Sequence, residues 1–182
     1  MKSRIVLPSQ ATLCERFEYN PDTGIIVWKD LPRDMFSEER IWLGRNARFT
    51  GKPAGGVGNG GYLRVAVDGV PIYVHRIIWK MMTGDEPPDD LDHINRDRTD
   101  NRWSNLRGTT RKQNTHNKTM HRGHKVGLKG VSFDHRNGKY YAWIWRGKRN
   151  DYLGTFSTAE AAHSAYCEAA QEHFGEFWSD GR

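Results

Sequence analysis

The sequence predicts an α+β protein, and three observations lead to this class. Residues 1–70 read as short strands and Gly-, Asn- and Pro-containing turns, which predicts a β-rich N-terminal segment. Residues 71–120 combine a helical pattern with short polar elements, and 121–126 form a basic linker. Residues 127–182 have the order strand, strand, strand, helix, which predicts a three-stranded antiparallel sheet packed on one helix. With 36% hydrophobic residues, the 182-residue chain can bury a core in one domain or two small ones.

The N-terminal segment contains two turn signals. Asn20-Pro21-Asp22 with Gly24 forms a turn before the apolar run Ile25 to Trp28. A glycine-rich loop, residues 55–61, precedes an alternating strand from Tyr62 to Val67, and Asp68-Gly69 marks the next turn. This loop lacks the GK[ST] sequence and leads into a strand, so flexibility explains its glycines better than phosphate binding does.

The central segment begins with an amphipathic helix. Its apolar residues recur at helical spacing and Gly84 ends the pattern; they are Val74, Ile77, Ile78, Met81 and Met82. A second, short polar helix is expected to begin near Thr109 or Thr110.

In the C-terminal segment the middle strand has two different faces. Ala142 and Ile144 alternate with Tyr141, Trp143 and Trp145. The following helix should begin with a Ser157–Glu160 capping box and end at Gly175. Its small-residue stripe should pack on the first face; the stripe comprises Ala161, Ala162, Ala165 and Ala169. The aromatic face could be a second core face covered by the N-terminal segment, but a nucleic-acid platform is the preferred interpretation.

Composition excludes several classes of protein. There is no run of about 18 apolar residues, so a membrane span is not expected. The first ten residues lack the apolar region of a signal peptide. Cys14 and Cys167 are far apart and form no CxxC motif, which argues against a disulfide framework and a cysteine zinc site. These features suit a cytoplasmic protein.

The net charge of +6 is concentrated in one stretch. Residues 1–92 hold 12 basic against 13 acidic side chains, and residues 126–182 hold seven of each. Residues 96–125 hold nine basic side chains against two acidic ones. Such a concentration favours a polyanionic partner, chiefly nucleic acid, over a merely solvated basic face. The predicted DNA contacts here are Arg96, Arg98, Arg102, Arg107, Arg111, Lys112 and Lys118.

An Asp-His pair stands directly before this stretch, in LDHINRDRTDNRWSNLR (Leu91 to Arg107). Phosphodiester hydrolysis needs a base for water and charge neutralisation at the phosphate. His93 offers an imidazole base, and Asp92 a carboxylate for a hard divalent cation. Asn114 on the polar helix is placed to give a second oxygen ligand, and Asn105 could hold the His93 ring.

The set DHIN, DNRWSNLR and TTRKQN, within the wider run from VHRIIWKMMTG to THNK, resembles the HNH nucleases. It is most similar to the phage and homing-endonuclease branch, whose third motif residue is Asn. The resemblance implies a ββα-metal core with Asp92 and Asn114 as metal ligands, His93 as general base and Asn105 as its positioner. It also implies DNA cleavage to 5′-phosphate and 3′-hydroxyl ends with one divalent ion, usually Mg²⁺ (Mn²⁺ is possible). His75 and Asn117 are possible supporting residues.

The run KGVSFDHRNGKYYAWIWRGKRNDYLGTFSTAEAAHSAYCEAAQEHFGEF looks like an AP2 DNA-binding domain over almost all of its length. That family lays its three-stranded sheet in the major groove. Its contact positions fall on Lys129, Ser132, Arg136, Trp143, Trp145, Asn150 and Tyr152. Several base-reading arginines of the family are replaced here, so its sequence preference does not carry over.

The sequence therefore predicts a metal-dependent endonuclease that acts on double-stranded DNA, from a phage or mobile element acting inside its host. The alternatives are a non-catalytic DNA-binding transcription regulator and a protein that binds or cuts RNA. Nicking or double-strand cutting, and a monomer or a homodimer, both stay open.

Overall fold

The computed structural model describes residues 6–117 and 125–181. The chain folds into two compact units, residues 1–109 and 110–182. Both units contain helices and strands, which confirms the mixed α and β architecture. The division falls after Thr109, inside the predicted central segment. It leaves the two strands of the predicted nuclease core in the first unit and the polar helix in the second.

Short elements with antiparallel pairing make up the first unit. The sheets are β1–β2, β3–β4–β5 and β6–β7. The elements in chain order are α1 (Gln10–Arg16), β1 (Phe17–Asn20), β2 (Ile25–Trp28), α2 (Glu39–Phe49), β3 (Gly56–Val57), β4 (Leu63–Val67), β5 (Val70–Tyr73), α3 (Val74–Thr83), β6 (Asp90–His93) and β7 (Leu106–Thr109). Short 3-10 turns cover Arg33–Met35 and Trp103–Asn105.

Several predicted elements of this unit are confirmed. Strand β2 has the predicted bounds, and Asp68 and Gly69 form the hairpin turn with φ of 51° and 79°. Helix α3 ends at Gly84, whose left-handed φ of 80° closes the helix. The sequence did not predict α2, because no residue of this helix is fully buried and the helix lacks the apolar stripe that marks a packed helix.

One hydrophobic core joins the N-terminal residues to α3 and β7. Leu13 and Phe17 near the N-terminus pack in the same cluster as Ile77 and Ile78 of α3, and all four are at most 1% exposed. Leu106 at the start of β7 belongs to the same cluster. Residues 6–70 are therefore part of the unit that carries Asp92 and His93 and share its hydrophobic core.

The second unit contains the three strands followed by a helix that the C-terminal segment predicts, preceded by a short helix. Its elements are α4 (Arg111–His116), β8 (Val131–Asp134), β9 (Lys139–Trp145), β10 (Asn150–Phe156) and α5 (Ala159–Phe174). The antiparallel sheet has the order β10–β9–β8. Ala142 and Ile144 are buried in the clusters that include α5, as the alternation predicts.

The N-terminal cap and the buried stripe of α5 differ from those that the sequence predicted. Thr158, not Ser157, caps the helix by accepting a hydrogen bond from the backbone N–H of Ala161. The helix thus begins one residue later, and Ala161 is exposed. The buried stripe comprises Ala162, His163, Tyr166, Ala169 and Ala170. Gly175 ends the helix as predicted. Of the helices described, none has the length and apolar character needed to cross a membrane.

Candidate active site

Strands β6 and β7 bring Asp92 and His93 to the end of a two-stranded ladder. Asp92 pairs with Arg107, and His93 pairs with Leu106. Both functional side chains are buried, at 8% and 3% exposure. Neighbouring residues of a strand point to opposite faces. The two groups can therefore serve one reaction only where the strand ends, and β6 ends at His93.

An ion pair holds the carboxylate of Asp92. Arg107 donates from Nη2 to Oδ2 at 2.9 Å and from Nε to the same oxygen at 3.2 Å. Both side chains are only 10% exposed. Arg107 was predicted to contact DNA; its buried guanidinium donates to Asp92, the residue opposite it in the ladder, and the DNA contact stays a prediction.

The imidazole of His93 is oriented by Asn101. His93 Nε2 and Asn101 Oδ1 lie 3.0 Å apart, and Asn101 is 1% exposed. The amide nitrogen of Asn101 donates to Thr99 O at 3.3 Å, which turns its oxygen toward the ring. An amide oxygen only accepts, so Nε2 must carry the hydrogen. The lone pair of the neutral ring then lies on Nδ1, the atom suited to accept a proton.

Asn105 is hydrogen-bonded to the loop that carries Asn101, the residue that contacts His93. Its amide accepts a hydrogen bond from Asn95 N at 2.9 Å and donates to Asn95 Oδ1 at 2.9 Å and to Asp100 O at 2.7 Å. These bonds close the loop of residues 94–101. Asn105 as the positioner of His93 stays a prediction, and the contact with the ring that the structure shows is made by Asn101, which the sequence did not predict. The only sequence signal was its place in the DNR triplet of the Asn-rich turn.

The carboxylate of Asp100 also stabilises this loop. Asp100 accepts hydrogen bonds from Arg102 Nε at 2.8 Å and from Asn95 Nδ2 at 2.6 Å. The bond from Arg102 is the main cause that lowers the pKa of Asp100 to about 2. Arg102, predicted as a phosphate contact, is thus engaged by a neighbouring carboxylate in the same loop.

The β1–β2 hairpin supports Asn101 from outside the loop. Tyr19 donates its hydroxyl to Asn101 O at 2.8 Å, and Trp103 N donates to Pro21 O at 3.0 Å. Gly24, at φ 75°, lies so close that a Cβ there would be 2.6 Å from Asn101 C. The N-terminal segment thereby positions the residue that orients His93.

Aromatic rings pack around His93. His75 lies edge-on to His93 with centroids 5.2 Å apart, and it stacks on Tyr73 at 5.4 Å. Tyr62 contacts both histidines. Burial, with the nearby charges of His93 and Arg76, lowers the pKa of His75 to about 3. His75 is 6% exposed, and its buried Nδ1 has no hydrogen-bond partner.

Comparison with known proteins agrees with this arrangement of motifs. Residues 72–116 match the HNH endonuclease family. The resemblance to HNH nucleases is thus confirmed, and the match runs from β5 to the end of α4. The chain is also 31% identical over 123 residues to a protein of Acanthamoeba polyphaga mimivirus named uncharacterized HNH endonuclease L560. That alignment covers 66% of this chain and 63% of the viral protein, so the chain spans a little under two thirds of this relative. No solved structure matches the chain significantly.

The HNH segment offers oxygen ligands of the kind that a hard divalent cation prefers. The Asp92 carboxylate stands beside the imidazole of His93 in sequence, and Asn114 carries an amide oxygen. Mg²⁺ is commonly held by one or two carboxylates together with water and phosphate oxygens, so these donors fit it. Within residues 6–117 and 125–181, no group of three or more His, Cys, Asp or Glu side chains is assembled into a metal site.

Asn114 lies on α4, in the second unit. A capping box begins this helix: Thr110 Oγ1 accepts from Gln113 N, and Gln113 Oε1 accepts from Thr110 N at 2.9 Å. The helix therefore begins where the sequence predicted. Asn117 is 3% exposed, and its carbonyl accepts a hydrogen bond from Ser179 Oγ at 3.1 Å.

The remaining predicted DNA contacts differ in exposure. Arg98 is exposed and donates to Gly60 O at 2.6 Å, Arg96 is half-buried, and Arg111 is exposed. The Lys112 side chain and the whole of Lys118 lie outside the described residues. In the second unit, Lys129 is half-buried and donates to Ser179 O. The other predicted contacts of this unit that belong to the C-terminal segment are exposed; they are Ser132, Arg136, Trp143, Trp145, Asn150 and Tyr152.

Proposed function

We propose that this protein is a divalent-metal-dependent DNA endonuclease in which His93 is the general base. The observation that carries this proposal is the hydrogen bond between His93 and Asn101, which leaves the ring lone pair on Nδ1. The match of residues 72–116 to the HNH endonuclease family gives the reaction class.

The reaction is hydrolysis at phosphorus. His93 Nδ1 takes a proton from a water molecule, and the water oxygen forms a bond to phosphorus. The bond between phosphorus and the 3′ oxygen breaks, and that oxygen leaves and gains a proton from solvent. The products are a 5′-phosphate and a 3′-hydroxyl end. Asn101 stabilises the imidazolium that forms, because its amide oxygen accepts the Nε2 hydrogen in both protonation states.

Asp92 would hold the divalent cation, and the motif order in the sequence assigns Asn114 as the second ligand. A bound cation would neutralise charge on the phosphate and on the departing oxygen. Arg107 keeps the carboxylate of Asp92 in one orientation through two hydrogen bonds. Asn105 holds the loop that carries Asn101.

We propose that the β8–β10 sheet of the second unit, which looks like an AP2 domain, also contacts the DNA. Trp143, Trp145 and Tyr152 are 38%, 50% and 52% exposed on one sheet. Rings of this size at the surface suit stacking and phosphate contacts. The further contacts that we propose are Lys129, Ser132, Arg136 and Asn150, together with Arg96, Arg98, Arg102, Arg111, Lys112 and Lys118. His75 and Asn117 are proposed as supporting residues.

Cleavage of supercoiled plasmid with Mg²⁺ or Mn²⁺ tests the endonuclease proposal. The wild-type protein should cut with metal and not with EDTA, and His93→Ala should lose the activity. His135→Ala, which removes an exposed histidine of the second unit, is the matched control and should cut normally. Cleavage that survives in His93→Ala would refute the assignment. The ratio of nicked to linear product, with the mass measured in solution, distinguishes a nicking monomer from a dimer that cuts both strands.

A second candidate function is a non-catalytic DNA-binding regulator, favoured by the exposed aromatic row on the β8–β10 sheet. It requires specific DNA binding without cleavage in either metal. If this second function is the correct one, Asp92→Asn should bind the same DNA as tightly as the wild type does. Parallel assays on matched DNA and RNA duplexes would show whether RNA is the substrate instead.

A further inference from the structure

A large cleft in the first unit has a strongly basic lining. It encloses about 940 Å³ and is lined by parts of β2, α2 and β4. Five basic side chains line it, against the single carboxylate of Asp68; they are Arg16, Arg45, Arg48, Lys52 and Arg64. We call this the basic cleft. Residues 1–92 carry a slight excess of acidic side chains as a whole, so the folding of the chain creates this concentration of positive charge.

Three buried donors without hydrogen-bond partners belong to residues that line the basic cleft. Arg16 Nε, Arg45 Nη2 and Arg64 Nε are inaccessible to solvent and have no hydrogen-bond partner. A buried donor left unsatisfied costs about 1–3 kcal/mol, so three of them on residues lining one cleft need an explanation. Burial lowers the pKa of Arg45; of the nearby charges, Asp30 raises it and Arg16 lowers it. An anion in the cleft would relieve the repulsion between the two guanidinium groups.

Aromatic rings fix the guanidinium groups in place. Arg45 lies over the ring of Trp28 at 5.1 Å, and Arg48 lies over Phe49 at 5.2 Å. Arg45 Nη1 also donates to Lys29 O at 2.7 Å, which anchors one side of its guanidinium. Planar cations beside aromatic rings are suited to a phosphodiester with its attached bases, because the phosphate meets the charge and the base meets the ring.

The basic cleft is connected to the candidate active site through a stack of rings. Arg64 of β4 lies over Tyr73 at 4.8 Å and stands opposite it in the β4–β5 ladder. Tyr73 stacks on His75, and His75 contacts His93. A DNA strand bound in the cleft would therefore lie against the β3–β4–β5 sheet, whose Tyr73 contacts His93 through His75.

We propose that the basic cleft binds the phosphodiester backbone of a DNA strand. This contact is additional to the basic segment after Asp92 and to the β8–β10 sheet, and it rests on the proposed function in taking DNA as the ligand. This binding would not depend on DNA sequence, because several cations contact phosphates and the rings contact whichever nucleobase is present.

The test measures binding of a short labelled DNA duplex by fluorescence anisotropy, with the full chain in EDTA and over a series of salt concentrations. Arg48→Gln/Lys52→Gln removes two exposed cations of the cleft; Arg40→Gln removes an exposed cation of the same helix that does not line it. Each lost phosphate contact should lower the slope of log K against log salt by about 0.9. The double variant should thus lose about 1.8 from the slope, while Arg40→Gln should match the wild type. Thermal unfolding of each variant verifies its fold.

Ultraviolet crosslinking gives an independent measurement. DNA crosslinked to the wild-type chain should map to peptides that contain Trp28 or Phe49. An unchanged slope in the double variant, without a crosslink to either peptide, would overturn the proposal. So would binding of pyrophosphate or a mononucleotide as tight as that of the duplex, which would indicate a small-anion site. These measurements need no cleavage. The cleft proposal can therefore be refuted while the plasmid assay supports the endonuclease proposal, and the endonuclease proposal can be refuted while DNA binding by the cleft is observed.

Discussion

His93 Nε2 lies 3.0 Å from the amide oxygen of Asn101, and this contact fixes which ring nitrogen can act as a base. We expect Asn101→Ala to lower the cleavage rate about 10- to 100-fold, by analogy with the partners that orient metal-ligating histidines. Nitrogen NMR of the imidazole should show the Nε2–H tautomer in the wild type and a mixture in the variant. A variant with a single Nε2–H tautomer and full activity would contradict this role.

The ion pair between Asp92 and Arg107 should contribute to stability as well as to orientation. Both side chains are nine-tenths buried, so Arg107→Gln removes the ion pair from a buried carboxylate. We expect a loss of about 3–5 kcal/mol in the free energy of unfolding, measured with urea in EDTA. Asp92→Asn/Arg107→Gln should be less destabilised than the Arg107→Gln single variant, because no buried charge remains. Additive effects in this double-mutant cycle would show that the pair is not coupled.

Gly24 is expected to be needed for activity although it lies outside the HNH segment. A Cβ at this position would be 2.4 Å from Arg102 N, and its φ is 75°. Gly51 is the matched control, because its φ is 74° and a Cβ added there would have no atom within 4 Å. Gly51→Ala should cost only the left-handed strain of about 1–2 kcal/mol. Gly24→Ala should cost more and should also slow cleavage, since it displaces Asn101; equal effects of the two substitutions would exclude this explanation.

His75 should make the fold sensitive to acid. Its pKa falls from an ordinary value of 6.5 to about 3 in the folded chain, so below pH 6.5 the unfolded chain binds the extra proton. Stability should therefore fall as the pH drops from about 6.5 toward 3, by up to about 1.4 kcal/mol per pH unit from this residue. Unfolding free energies of His75→Phe over this range should depend less on pH than those of the wild type. The same pH dependence in both proteins would show that His75 does not titrate in this way.

Much of the fold could be predicted because it follows from local patterns. The alternation in β9, the apolar spacing of α3 and the turn residues Asp68-Gly69 each determine their element without distant contacts. Helix α2 could not be predicted, because no residue of this helix is fully buried. The cap of α5 was misplaced by one residue because Ser157 and Thr158 are both good capping residues, and the sequence alone does not distinguish them.

In the candidate site, too, some features follow from local sequence and others only from tertiary contacts. Sequence order and residue type by themselves predicted Asp92 and His93 as site residues and pointed to the HNH segment, which the family match over residues 72–116 confirms. Only the tertiary structure assigned Asn101 to the ring, Arg107 to Asp92 and Tyr19 to the loop. It also gathered Arg16, Arg45 and Arg64 into one cleft. These hydrogen bonds join residues 8 to 82 positions apart, and hydrogen bonds and charge depend on distance in space, which a count along the chain does not contain.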